Sequence, residues 1–90
     1  MKNNFNPKIW GPSGWFFIDT VILSYPDNPT FDDKKIYKNF LLQLKDILPC
    51  SSCRYHYTDN IMYLPLSDYY LSSKHRLIEW IIEIHNKVKK

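Results

Sequence analysis

Two cysteines are all that this 90-residue chain contains, Cys50 and Cys53, and nothing in it partners them in the usual metal-binding way. There is no second Cys-x-x-Cys and no closely spaced histidine pair, the paired ligands from which structural zinc sites are built. No apolar run approaches the roughly 20 residues that a membrane-spanning helix needs. The N-terminal residues are polar, rich in Asn and Lys, and lack the apolar core of a secretory leader. No basic stripe crosses the middle of the chain. The net charge of +3 owes much to Lys-rich ends, which read as solvated termini and not as a nucleic-acid surface. Strand-type alternation and internal repeats are missing too. These absences predict a soluble chain with no membrane span, no nucleic-acid partner and no bound metal. They leave its compartment unassigned.

What is abundant is aromatic. Three Trp, seven Tyr and five Phe make up 17% of a chain long enough for only one small domain. A core of that size rarely consumes so many large rings, so a second consumer is expected: a partner subunit or a flat cofactor.

The apolar spacing is helical throughout. Residues 1–9 read as a short polar arm, extended at Pro7. Trp10-Gly11-Pro12-Ser13 reads as a helix start, with proline near the first helical position. Trp15, Asp19, Ile22 and Tyr25 follow at helical spacing, and Phe16, Phe17, Val21 and Leu23 make this helix apolar nearly all round. The turn chemistry of Tyr25-Pro26-Asp27-Asn28-Pro29 ends it. Thr30 caps a second helix, with Asp32 and Asp33 in its first turn. Its predicted stripe is Ile36, Phe40, Leu44 and Ile47, widened by Tyr37, Leu41 and Leu48, and Pro49 stops it. From Ser51 the chain reads as a short third helix, Cys53 to about Met62. Residues 68–71 are ambiguous. Ser72 or Ser73 caps a last helix with Leu77, Ile81, Ile84 and Val88 inward, broadened by Ile78, Trp80, Ile82 and His85. The expectation is an all-α domain over residues 10–90, a small four-helix bundle.

Leu48-Pro49-Cys50-Ser51-Ser52-Cys53-Arg54 is the stretch that carries chemistry. A Cys-x-x-Cys at a helix start sees unpaired backbone N–H groups and the positive end of the helix dipole, which favour thiolate. A structural disulfide would normally close a longer loop. Three other readings stay open on the residues alone. The pair could be half a zinc site with His56 and His85, a thioredoxin-type motif without its βαβ context, or two inert buried thiols.

Four segments, taken together, resemble the Erv/ALR-type FAD-linked sulfhydryl oxidases. Trp10-Gly11-Pro12-Ser13-Gly14-Trp15 is similar to the family's WGxxxW. Tyr25-Pro26-Asp27-Asn28-Pro29-Thr30 is similar to its YPxxPT turn, and Pro49 to Tyr57 to its redox helix. Trp80 with His85-Asn86-Lys87-Val88 is similar to its terminal W…HNxVN. The resemblance covers Trp10 to Val88. It implies a helical bundle holding FAD beside the Cys-x-x-Cys, commonly as a homodimer, which oxidises dithiols of a donor protein and passes electrons to O2 as hydrogen peroxide. By the same resemblance Cys50 exchanges with the thiol donor and Cys53 faces the flavin. Trp10, Gly11, Ser13, Trp15, Tyr25, His56, Trp80, His85, Asn86 and Val88 match positions that line the cofactor.

Two such positions differ from the family. Asp19 stands where histidine is usual, and Lys89 replaces the second asparagine of HNxVN. The family's separate shuttle cysteines have no counterpart among these residues, so the donor is expected to reach Cys50 directly. A compact form of this kind would suit a large DNA virus that makes disulfides in the host cytosol. Two further functions compete, a non-catalytic dimerising module that keeps the fold and a zinc-binding interaction domain.

Overall fold

Five helices in chain order account for the architecture of the computed structural model, which describes residues 3–88, with side chains through Asn86. They are α1 (Pro7–Leu23), α2 (Phe31–Ile47), α3 (Ser51–Tyr63), α4 (Asp68–Leu71) and α5 (Lys74–Val88). The described residues contain no strand. The all-α class therefore stands, with α4 a single turn added to the four expected helices.

The first helix begins at Pro7 and not near Trp10. Asn6 is the cap: its side chain accepts the Lys8 N–H at 2.9 Å, and Pro7 occupies the first helical position. That is where a missing N–H costs nothing. Pro12, expected to play this part, lies inside the helix instead. There it removes the bond to the carbonyl four residues back.

The second helix opens with a reciprocal capping box. Thr30 Oγ1 accepts from the Asp33 N–H at 3.1 Å, and the Thr30 N–H donates to Asp33 Oδ2 at 2.9 Å. Its buried stripe differs from the expected one. Ile36 and Ile47 are 63% and 61% exposed, whereas Leu41, Leu44 and Leu48 are buried and Tyr37 is partly so. The helix is turned by polar tips. The Tyr37 hydroxyl shares a 2.8 Å hydrogen bond with Ser24 and its ring packs edge-on against Tyr25, while Tyr57 donates to the Leu41 carbonyl. Hydrophobic spacing alone could not separate the two faces, because both pass through Leu44.

The last helix is central. It packs on α1, α3 and α4, and α2 packs on α3. Leu77, Trp80, Ile81 and Ile84 join Ile18, Ile22, Tyr57, Ile61 and Leu71 in one core cluster. Ser73 caps α5 by accepting the Arg76 N–H. Three fully buried rings tie the elements together through their polar tips. Tyr25 Oη donates to Leu71 O at 2.6 Å, Tyr57 Oη to Leu41 O at 2.6 Å, and Trp80 Nε1 to Leu64 O at 2.9 Å. Leu64 and Leu71 lie at helix ends, where carbonyls lack intrahelical partners. Burying these rings is therefore favourable on both counts, area and hydrogen bonding.

Candidate redox site

The Cys-x-x-Cys forms the start of α3. Cys50 is its cap, with extended backbone (φ −157°, ψ 126°), and its Sγ accepts the Cys53 N–H at 3.4 Å. Ser52 Oγ lies 3.2 Å from the same sulfur. Arg54 locks the preceding turn, donating from Nη1 to the Leu48 carbonyl at 2.5 Å. Both thiols are free.

The two sulfurs have opposite electrostatics. Cys50 is held below the ordinary thiol value, first by the hydrogen bond from the Cys53 thiol and then by the Ser52 hydroxyl. Cys53 is pushed up to about 11, first by burial and then by its neighbour Cys50. The helix start thus stabilises a thiolate at its cap, Cys50, and not at Cys53, which lies a turn further in against apolar groups. An anion at Cys50 keeps the proton on Cys53.

A cavity of about 530 Å³ opens beside Cys53, between α1, the Leu48 turn and α5. Its wall is formed by Pro7, Trp10, Gly11, Pro12, Trp15, Phe16, Asp19, Leu48, Cys53 and His85. The His85 imidazole lies flat on the Trp15 indole, centroids 4.4 Å apart and 12° from parallel. A smaller hollow of about 140 Å³ adjoins it and shares Asp19 and His85.

Two glycines shape the wall. A Cβ on Gly11 would meet nothing within 4 Å, so it would project into the cavity space that a ligand could use. A Cβ on Gly14 would come within 2.8 Å of the Trp10 ring, so Trp10 keeps its place only because Gly14 has no side chain. The size falls within the range of small-molecule sites, and the lining is aromatic with a few polar groups. These residues fit a flat ring system such as a flavin: ring faces, a backbone open to close approach at Gly11, and one thiol on the wall.

Of the residues singled out in the sequence, Trp10, Gly11, Trp15, Asp19, Cys53 and His85 come together here. Cys50 adjoins the cavity without lining it. Tyr25 and Trp80 are fully buried core rings and do not reach the wall. Ser13, His56 and Asn86 are exposed, His56 edge-on to Tyr55. The Val88 side chain and Lys89 lie outside the described residues. Pro7, Pro12, Phe16 and Leu48 on the wall, and Gly14 behind the Trp10 ring, had not been named as site residues. Asn6-Pro7, a cap followed by proline, was the signal for the early helix start that brings Pro7 to the wall. Among the described residues no group of three or more His, Cys, Asp or Glu could hold a metal.

A helical protein with a dithiol at the edge of an aromatic, flavin-sized cavity is the class that this fold and site define. The sequence profile of the Erv1 / Alr family matches residues 12–90, and the chain belongs to that family. It is 45% identical over 83 residues to a probable FAD-linked sulfhydryl oxidase of Acanthamoeba polyphaga mimivirus, covering 92% of this chain and 58% of the relative. A putative FAD-linked sulfhydryl oxidase of Invertebrate iridescent virus 3 is 31% identical, with 94% and 57% covered. One of Invertebrate iridescent virus 6 is 34% identical, with 94% and 80% covered. The chain thus spans less than three fifths of the length of the first two.

Proposed function

We propose that the chain is an FAD-dependent thiol oxidase that forms disulfides in dithiol donors, the activity for which its relatives are named. The observation that carries this reading is Cys53 on the wall of the aromatic cavity, with Cys50 beside it but off that wall. Bound FAD supplies a two-electron acceptor next to that wall, with O2 as the final acceptor and hydrogen peroxide as product. Trp10, Trp15 and Phe16 would hold its flat ring, Gly11 would let it approach the backbone, and His85 and Asp19 would meet its polar parts.

The chain's own steps are thiol–disulfide exchange. A donor thiolate attacks Cys50 Sγ of the oxidised pair, the Cys50–Cys53 bond breaks, and Cys53 leaves as thiolate into the cavity. The donor's second thiolate then attacks the donor sulfur bound to Cys50. The donor disulfide forms, Cys50 leaves, and the electron pair rests on Cys50 and Cys53. The low thiol pKa of Cys50 makes it a good leaving group in this second step. Of the causes that raise Cys53, burial comes first, and the other two come from Cys50 itself. They vanish while Cys50 is held in a disulfide. Burial, the largest cause, remains, so formation of the mixed disulfide lowers the Cys53 pKa without removing its elevation.

The same reading includes a homodimer through the first two helices. Phe16 and Phe17 on α1 are 74% and 60% exposed, and Phe31, Ile36 and Ile47 on α2 are exposed as well. Light scattering that reports a monomer at micromolar concentration would remove this part.

FAD titration tests the whole. Purified protein should be yellow. FAD at a hundred times its Kd should raise the melting temperature by on the order of 10 °C for a domain of this size. A colourless protein with no melting shift would sink the proposal.

A further inference from the structure

Cys50 is the thiol that a donor must reach, yet it is only 7% exposed. The residues just before α1 lie across it. The Phe5 N–H donates to the Pro49 carbonyl at 2.7 Å, and the Ser51 N–H donates to Asn4 Oδ1 at 2.9 Å. Phe5 is also tied to the cavity wall, since Trp10 Nε1 donates to its carbonyl at 3.0 Å. Asn4 and Phe5 are themselves exposed, so this strap rests on the surface without being packed into it.

The two groups that it covers form a pattern. Pro49 C=O and Ser51 N–H are the groups on either side of an extended residue, Cys50. In a parallel ladder, one residue of the partner strand donates to the carbonyl before such a residue and accepts from the N–H after it. An extended peptide could supply both groups from a single residue. The strap supplies them from the Phe5 backbone and the Asn4 side chain.

We propose that Pro49–Ser51 is the docking edge for the donor, a one-residue strand to which an extended polypeptide adds beside its reactive cysteine, and that Asn4–Phe5 holds this edge until the donor displaces it. The occupant is a flexible, extended cysteine-bearing segment, because a helix has no free N–H and C=O to offer. The inference rests on the reading of Cys50 as the donor-facing thiol.

The test needs no flavin turnover. In a full-length Cys53→Ala background only Cys50 can react. Two strap variants, Asn4→Ala and Phe5→Pro, each delete one hydrogen bond to the edge. Each is treated with two disulfide probes that release yellow thionitrobenzoate when the Cys50 thiolate attacks. One is an extended pentapeptide with a central cysteine capped by thionitrobenzoate, and the other is the symmetric aromatic disulfide, which has no peptide backbone. Far-UV circular dichroism checks that both variants remain folded. The strap variants should react faster with both probes, by about threefold to tenfold for the loss of one ordinary hydrogen bond. The peptide should gain more, because it alone can pair with the freed edge. Unchanged rates with both probes would show that the strap does not cover Cys50. An equal gain for both probes would show a cover with no docking edge beneath, which overturns the proposal. Failure of flavin binding elsewhere would leave these rates untouched.

Discussion

Trp80 and Trp10 each donate an indole N–H to a backbone carbonyl at nearly the same distance, 2.9 Å to Leu64 and 3.0 Å to Phe5. Their surroundings are otherwise opposite. Trp80 is wholly buried in the core cluster around α5, with neighbours on every side. Trp10 is only partly buried, and part of its ring forms the cavity wall. A satisfied polar tip therefore does not distinguish a core ring from a site ring. What distinguishes them is whether the ring's surface is used up by the protein. The core uses its rings completely; on the α1 edge Trp10 and Phe16 keep open surface, and Trp15, buried in the core cluster, still reaches the cavity wall.

The hardest blow to the cavity side is removal of its thiol. Cys53→Ala should abolish turnover while leaving Cys50 able to hold a donor. Incubated with an oxidised donor, it should give a mixed disulfide on a non-reducing gel, whereas Cys50→Ala should trap little. Trapping through Cys53 would reverse the roles.

The tryptophan comparison is sharpened by paired substitutions. Trp80→Ala should cost about 3–5 kcal/mol, a large share of a small domain's stability. Trp10→Ala should cost about 1 kcal/mol but lose most of the FAD affinity. Urea unfolding and flavin titration of both variants separate the two effects. Equal losses of stability would erase the distinction drawn above.

The smallest expected effect is on titration. Cys50 lies below its ordinary value of 9.0 because the Cys53 thiol and the Ser52 hydroxyl stabilise its thiolate. Ser52→Ala should therefore move the midpoint of Cys50 alkylation upward, by up to about one pH unit for a hydrogen bond worth 1.36 kcal/mol. Ser52→Thr should restore it. The linked stabilities run in opposite directions. The Cys50 contribution is present above pH 9 and lost as pH falls through its lowered value. The Cys53 contribution is present below pH 9 and lost as pH rises toward about 11. An alkylation midpoint unmoved by Ser52→Ala would leave the Cys53 thiol as the main stabilising group.

Much of the fold was legible because helical spacing, Thr30 with Asp33, and the prolines at 26, 29 and 49 agree with one another. The start of α1 was misread because two prolines compete for the first position, and Pro12 lies inside the more familiar motif. Trp10, Gly11, Trp15, Cys53 and His85 at the cavity all lie in the motifs that carry the resemblance, whereas Tyr25 and Trp80, matched to cofactor positions by that same resemblance, are core rings. Nothing in the sequence states that their tips reach Leu71 and Leu64. Gly14 was passed over because its role is defined by a neighbour four residues back, the Trp10 ring. The hydrogen bonds on either side of Cys50 come from Asn4 and Phe5, 46 and 45 positions away from it, which no local pattern links to it.

The three ties of the core are asymmetric in what they ask of heredity. Each has a side chain as donor and a backbone carbonyl as acceptor, at Leu41, Leu64 and Leu71. Every residue type carries that carbonyl. Positions 41, 64 and 71 can therefore drift among apolar residues without losing the bond, while Tyr25, Tyr57 and Trp80 cannot be exchanged without losing it. The fold's long-range specification is written on one side of each pair, and a saturation substitution scan would read it as three positions that reject even apolar replacements facing three that accept apolar residues.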